Sequence, residues 1–293
     1  MPNWQSITDH IGEAIGEPFS PATPRSVGGG CINSSVKLQD AERTVFVKFN
    51  RGALLDMFEA ESSGLDEMAA TGTIRTPQPY CSGVVDGQAY LAMEYLELGR
   101  SGSAGAVLAG RQLAEMHRTV QSAFGWWRDN TIGSTFQSNT PDENWTLFWQ
   151  RRRLGFQLEL AGRNGHGGAL QRMGERLLSA CPALLDHSPK ASLLHGDLWG
   201  GNLAYDLQGN PVIFDPAVYF GDREADLAMT ELFGGFGGDF YAAYHEAWPL
   251  DPGYSTRKTF YNLFHILNHL NLFGGGYLGQ ASGMMERLLA ELG

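Results

Sequence analysis

The sequence predicts an α+β fold in two lobes: a small five-stranded antiparallel sheet lobe over residues 1–97 and a larger, mainly helical lobe over residues 98–293. Three observations carry this. Strand-period segments crowd the first third of the chain, with one helix ahead of them and another after the third. Leu98 to Gly105, rich in Gly and Ser, then makes the best linker in the sequence. Beyond it nearly every apolar stripe repeats at helical spacing.

Trp4, Ile7, Ile11, Ala14 and Ile15 share a helical face, which Gly16 and Pro18 terminate. Val27 closes a first strand and leads into Gly28, Gly29 and Gly30. Val36 and Leu38 flank Lys37 in a second strand, and Thr44 to Phe49 make a third, with polar Gln39 to Arg43 turning between them. Leu54, Met57, Phe58, Leu65, Met68 and Ala69 return to helical spacing over 54–70. Pro79 to Val85 and Ala89 to Leu96 are the last two strands of this lobe, joined by the hairpin turn Asp86-Gly87. The second lobe reads as helices at 103–121, 143–162, 168–180, 223–233, 237–247, 254–272 and 281–292. Short strands are expected there only near 192–195, 203–206 and 211–214.

Hydrophobic residues make up 43% and charged residues 18%, the balance of a globular protein. The net charge of −11 argues against a nucleic-acid partner, because a phosphate backbone requires a basic face. No apolar run approaches the roughly 20 residues that span a bilayer, and Met1 to Gln5 lacks the basic start and apolar stretch of a signal peptide. Cys31, Cys81 and Cys181 are odd in number, scattered and without metal-ligand spacing. A reduced cytoplasmic protein with neither structural disulfide nor zinc site is therefore expected, and no membrane partner.

The chemistry concentrates in His195-Gly196-Asp197-Leu198-Trp199-Gly200-Gly201-Asn202. A short apolar strand, Ser192-Leu193-Leu194, runs into this glycine-rich loop, and the chain re-enters a strand at Leu203-Ala204-Tyr205. Further on, Asp215 follows the apolar strand Val212-Ile213-Phe214 and precedes Pro216. Three oxygen-bearing side chains thus leave the ends of adjacent short strands. Mg²⁺ is held by hard oxygens, commonly one or two carboxylates together with substrate phosphates, which suits Asn202 and Asp215. An aspartate beside that metal, Asp197, accepts the proton of an attacking hydroxyl. Glycines at 196, 200 and 201 let the backbone turn tightly and a substrate come close.

Two features nearer the start fit the same chemistry. Gly28-Gly29-Gly30 lies between strands, where a turn brings backbone N–H groups onto phosphate oxygens. Lys48 sits on the third strand, after that turn and before a helix that offers Glu59 and Glu61 as carboxylate partners.

With Phe214-Asp215-Pro216, the loop resembles the catalytic loop and metal-binding aspartate of the fold shared by protein kinases, aminoglycoside phosphotransferases and choline kinases. Its Trp-containing form is similar, more narrowly, to the fructosamine/ketosamine-3-kinase family. Four other segments carry the narrower resemblance: Gly29 to Asn33, Met57 to Glu61, Ile132 to Asn139 and Gly221 to Thr230. The resemblance implies a protein-kinase-like fold and ATP-dependent phosphorylation of ketosamines, free or as glycated protein lysines. The phosphate goes to the sugar 3-hydroxyl, and the product then sheds its amine.

Residue by residue, the resemblance makes Asp197 the base and Asn202 and Asp215 the Mg²⁺ ligands. It places Gly28, Gly29, Gly30 and Lys48 at the phosphates and selects Glu61 as the lysine's partner. The Glu94 carbonyl and Leu96 amide would receive adenine, with Met93 behind it. Trp199, an aromatic set between catalytic groups, reads as a wall of the acceptor pocket, and Gly125 to Asn130, Gln137 and Asn139 supply further candidates. Asp222 and Asp226 read as N-cap and dipole residues of a helix start, in a segment that the resemblance associates with holding the loops. For Cys31 the resemblance implies a redox switch, so a monomer or a redox-sensitive homodimer is expected. Two other readings stay open. One is a kinase of the same fold acting on an aminoglycoside, choline or thiosugar; the other is an inactive nucleotide-binding protein.

Overall fold

A five-stranded antiparallel sheet lies between two helices in the first third of the chain, which the computed structural model describes over residues 3–28 and 32–292. Helix α1 (Trp4–Ile15) is capped by Asn3, whose side chain accepts from the Ser6 N–H, and ends at Gly16 with φ +77°. The strands are β1 (Arg25–Ser26), β2 (Ser34–Gln39), β3 (Thr44–Arg51), β4 (Pro79–Val85) and β5 (Gln88–Glu94), in the order β1-β2-β3-β5-β4. Helix α2 (Leu55–Ala69) connects β3 to β4.

The pleat explains the sandwich. Val36, Leu38, Val45, Val47, Tyr90 and Ala92 share one face and pack on Ile7 and Ile11 of α1. The alternate positions of β5, Ala89, Leu91 and Met93, join Met57, Phe58, Leu65 and Met68 of α2 in the main core. Lys48, next to Val47, therefore leaves β3 on the α2 side.

The rest of the chain is mostly helical. It runs through α3 (Ser103–Met116), β6 (Val120–Gln121), β7 (Asn130–Ile132), β8 (Thr135–Gln137), α4 (Trp145–Phe148), α5 (Gly155–Arg163) and α6 (Ala169–Leu184). There follow β9 (Ala191–Leu194), β10 (Leu203–Tyr205), β11 (Pro211–Ile213), β12 (Tyr219–Gly221), α7 (Arg223–Leu232), α8 (Gly238–Ala247), α9 (Tyr254–Phe273) and α10 (Leu278–Glu291). Strands β12, β9 and β6 form one small sheet, while β10–β11 and β7–β8 are hairpins. Helix α9 is buried along most of its length, against a cluster that includes Trp145 and Trp149. No described helix is long and apolar enough to cross a membrane.

The structure departs from the sequence expectation in a few places. The helix predicted over 103–121 stops at Met116, and Val120 and Gln121 pair with β9 instead. The helix predicted over 143–162 is broken by a π-helical turn, Trp149–Leu154, closed by the Gly155 N–H on the Gln150 carbonyl. Glycine is required there, because a Cβ at 155 would lie 2.5 Å from that oxygen. Strands β6, β7, β8 and β12 are too short to show alternation.

Helices α3 and α8 approach so closely that a Cβ on Gly110 would lie 2.3 Å from the Phe240 carbonyl oxygen. Gly110→Ala is therefore expected to lose about 1–3 kcal/mol in urea unfolding. Gly162→Ala, where the nearest atom is 3.5 Å away on the Gln171 side chain, is the control, expected to be neutral or stabilising by up to about 1 kcal/mol.

Candidate active site

Strand β9 delivers the chain into the loop His195–Asn202, and β10 takes it out. The loop is held from below by Asp226 on the first turn of α7. Its carboxylate accepts the backbone N–H of His195 at 2.7 Å and of Gly196 at 2.8 Å, and meets His117 Nε2 at 3.2 Å. Burial works to raise the Asp226 pKa, but the imidazole of His117 and the Gly196 amide outweigh it and hold the carboxyl below its ordinary value. The N-cap of α7 is Asp222, which accepts from the Glu224 N–H and also from the Tyr261 hydroxyl at 2.5 Å.

The His195 ring ties this loop to the end of β11. Its Nε2 faces the Phe214 carbonyl at 3.0 Å, and a carbonyl only accepts, so Nε2 carries the proton. Nδ1 then accepts the Asp197 N–H at 3.2 Å. Burial lowers the pKa of this imidazole, which keeps it neutral. The Ala217 N–H returns a bond to the His195 carbonyl at 2.8 Å. Gly196, at φ +82°, is irreplaceable on two grounds: its backbone is left-handed, and a Cβ would lie 2.1 Å from the Ala217 oxygen.

These bonds bring Asp197, Asn202 and Asp215 together. The Asn202 Nδ2 donates to the Asp197 carbonyl at 2.8 Å and approaches Asp197 Oδ2 at 3.4 Å and the Asp215 carbonyl at 3.5 Å. Its Oδ1 has no protein donor among the described residues. Burial, and then the charges of Asp215 and Asp226, push the Asp197 carboxyl well above its ordinary pKa. Asp215 has φ +58°, a left-handed conformation that Asp tolerates better than most residues, and it directly precedes Pro216.

Lys48 crosses from the sheet to this loop. Its Nζ bonds Glu61 Oε1 at 2.6 Å and pairs with the Asp215 carboxylate. Burial opposes its charge, yet the two carboxylates raise its pKa above the usual lysine value. Glu59 does not compete for it: its carboxylate lies 3.8 Å from Arg128, which also pairs with Asp56 at 2.7 Å.

The amide side chains of residues 130–139, Asn130, Gln137 and Asn139, turn into the protein interior. Gln137 and Asn139, candidates for the acceptor site on sequence, are buried. Gln137 Nε2 donates to Asn130 Oδ1 at 2.9 Å and to the Ala217 carbonyl at 3.2 Å, while Asn130 Nδ2 donates to the Val218 carbonyl at 2.8 Å. Asn139 Nδ2 donates to Asn130 Oδ1 at 2.9 Å, and its own Oδ1 accepts from Arg153 at 2.7 Å. These side chains grip the backbone just after Asp215. Arg153 is fully buried without a carboxylate partner among the described residues, its guanidinium 4.1 Å over the Tyr219 ring. Burial lowers its pKa to about 10, so it remains charged. Sequence reading took Asn130 for an acceptor-pocket candidate and missed Arg153. The signal for Arg153 was its helical phase, one turn after the buried Trp149.

The other expected site residues fall as follows. Met93 is buried beneath the sheet, and Glu94 ends β5 with its carboxylate on Arg75 at 2.7 Å. Leu96 follows outside the strand, its N–H without a protein acceptor among the described residues. Trp199 is 39% exposed and lies over Gly201, where a Cβ would be 2.3 Å from the indole. Of the segment 125–130, Trp126 is buried on Glu67 and Trp127 is 67% exposed. Gly28 is exposed; Gly29, Gly30 and Cys31 lie outside the described residues.

Sheet, helical part and loop together define a phosphotransferase of the protein-kinase-like class. A choline kinase from Streptococcus pneumoniae has the same fold, with a TM-score of 0.66 at 15% identity over 98% of this chain and 99% of its own. The chain belongs to the fructosamine kinase family, whose sequence profile matches residues 3–291. A Synechocystis protein designated a probable ketoamine kinase is 48% identical over 98% of this chain and 97% of its own. A protein-ribulosamine 3-kinase of rice chloroplasts is 43% identical over 91% of this chain and 79% of its own. A crystal structure from Haemophilus somnus, assigned as a fructosamine-3-kinase, superposes with a TM-score of 0.90 at 28% identity, covering 98% of this chain and 97% of that one.

Asp226→Asn replaces one acceptor of the loop amides with a donor. A loss of about 3 kcal/mol or more is expected at pH 7. A carboxyl whose folded pKa is depressed stabilises above its unfolded pKa of about 3.9, and that stabilisation is lost as pH falls through the folded value. The gap between wild type and variant, read by urea unfolding, should therefore be full at pH 7 and narrow below about pH 4.

Proposed function

We propose that the protein transfers the γ-phosphoryl group of ATP to the sugar 3-hydroxyl of a ketosamine. The observation that carries this is the clamp of Lys48 on Glu61 and Asp215, set beside Asp197 in a chain of the fructosamine kinase family. The ketosamine is suggested by the relatives' names, and position 3 by that of the rice relative. The reading divides the chain at 97/98, with the nucleotide between a sheet lobe and a helical lobe.

Asp197 accepts the hydroxyl proton on its carboxylate as the hydroxyl oxygen bonds to the γ-phosphorus and the bond to the β–γ bridging oxygen breaks, releasing ADP. Its raised proton affinity favours that uptake. Lys48 holds the α- and β-phosphates, and Glu61 keeps its ammonium in place. The Glu94 carbonyl and Leu96 amide meet adenine over Met93, and Trp199 borders the acceptor. The free Asn202 Oδ1 and the Asp215 carboxylate are hard oxygens fit to hold Mg²⁺. When bound, that ion offsets the charge of the phosphates. The 3-phosphate produced is a leaving group beside the carbonyl carbon; its elimination from the enaminol leaves an imine at carbon 1, and hydrolysis of that imine by water frees the amine. Positioning and charge neutralisation supply most of the acceleration.

The acceptor is a free ketosamine or a glycated protein lysine, and a reducing compartment such as the cytoplasm suits Cys81 and Cys181. These are free thiols whose burial raises their pKa to about 11 and about 12.

Coupled ADP release with fructosyl-lysine, ribulosyl-lysine, kanamycin and choline tests the reading. Turnover is expected with a ketosamine, at a kcat/KM on the order of 100-fold or more above the other two. Lys48→Met and Glu61→Gln should each lower kcat by about 100-fold with folding retained. Preference for kanamycin or choline, or near-normal activity in both variants, would sink the reading.

A further inference from the structure

A row of aromatic rings leads away from the catalytic loop. Trp199 meets Phe233 edge to face, with ring centroids 6.2 Å apart. Phe233, at the end of α7, is 5.0 Å from His269 of α9. His269 in turn is 5.5 Å from Phe273 and 5.2 Å from Tyr277. Burying large rings is the ordinary use of them, and this chain does so completely with Trp149, Phe260 and Tyr261. Phe233 and Phe273 are instead 37% and 52% exposed, continuous with the exposed Trp199. An exposed aromatic surface that starts at a reacting loop is a place for a ligand.

The character of the surface narrows the ligand. His269 Nδ1 faces the His265 carbonyl at 2.8 Å, so it carries the ring proton and Nε2 is left as an acceptor. Burial lowers the pKa of His269 and drives that of the buried His265 beneath it to about 3, so both rings are neutral. The row therefore offers π faces and one uncharged acceptor. That combination favours an apolar arm entered through a cationic nitrogen, which ring faces attract, and disfavours a carboxylate. Three of the rings stand beside glycines. Gly234, Gly235 and Gly237 follow Phe233 with positive φ, and Gly274, Gly275 and Gly276 separate Phe273 from Tyr277. Such glycines let the rings adjust to arms of different shape.

We propose that Phe233, Phe273 and Tyr277, with His269 between them, form a subsite for the substituent on the ketosamine nitrogen, selecting apolar or aromatic arms over small or acidic ones. The subsite rests on the ketosamine reading above.

The test is kcat/KM for one sugar, fructose, carried on methylamine, butylamine, benzylamine or the α-amine of glutamate. Wild type is expected to favour the benzyl arm over methyl by about tenfold or more, chiefly through KM, and to disfavour the glutamate arm. Phe233→Ala and Phe273→Ala should each bring the benzyl-to-methyl ratio to within about twofold, while Phe233→Leu and Phe273→Leu retain most of it. Phe273, half exposed, supplies the variant least able to unfold the chain, and thermal unfolding checks that it has not. Equal turnover of every arm by wild type, or a benzyl preference untouched in both alanine variants, overturns the subsite and leaves the ketosamine reading standing. Turnover of none of the four, nor of the same arms carried on ribulose, overturns both.

Discussion

Lys48 is 6% exposed and touches two carboxylates, Glu61 from α2 and Asp215 from the loop after β11. Taking an ammonium out of water costs several kcal/mol, and only close opposite charge offsets it. Burial raises the pKa of Glu61 as well, and the nearby Lys48 pulls it back. The cluster carries one cation against two carboxylates, which makes it the natural seat for further positive charge. It also welds β3, α2 and the loop after β11 at one point, so the remaining site geometry is built to serve it.

That service comes from backbone bonds more than from side chains in the cleft. Asp226 fixes the His195 and Gly196 amides, and His195 fixes the Phe214 carbonyl. The amides of Asn130 and Gln137 fix the carbonyls of Val218 and Ala217. Asp215 sits between the attachments at Phe214 and Ala217 in a left-handed conformation that costs on the order of 1–3 kcal/mol outside glycine. Residues gripped on both sides can keep such a conformation. A loop held in this way presents Asp197, Asn202 and Asp215 with little reorganisation left for the reaction.

Much of this was legible in the sequence, for reasons particular to each part. The sheet was readable because β2 to β5 are six to eight residues long and Asp86-Gly87 marks a hairpin, whereas β6, β7, β8 and β12 have only two or three residues each. The loop His195–Asn202 was readable because glycines and acids cluster between two apolar strands. Glu61 and Glu59 lie two residues apart on one helix; residue chemistry alone leaves both open, the resemblance points to Glu61, and their partners, Lys48 and Arg128, separate them. Gln137 and Asn139 misled because polar residues in a turn-rich stretch look like surface, and nothing local reveals a buried Arg153 waiting for them. Phe233 and Phe273 hid for the opposite reason: on helical stripes they look like core.

The most direct measurement is the position of phosphate on the product. Phosphorus–proton correlation NMR of a ketosamine incubated with the protein, ATP and Mg²⁺ should couple the new phosphorus to the proton on carbon 3 of the sugar. Asp197→Asn should abolish the signal while still binding ATP. Coupling to a proton on any other carbon, or an undiminished signal from Asp197→Asn, would contradict the assignment of this loop as the site of transfer to the 3-hydroxyl.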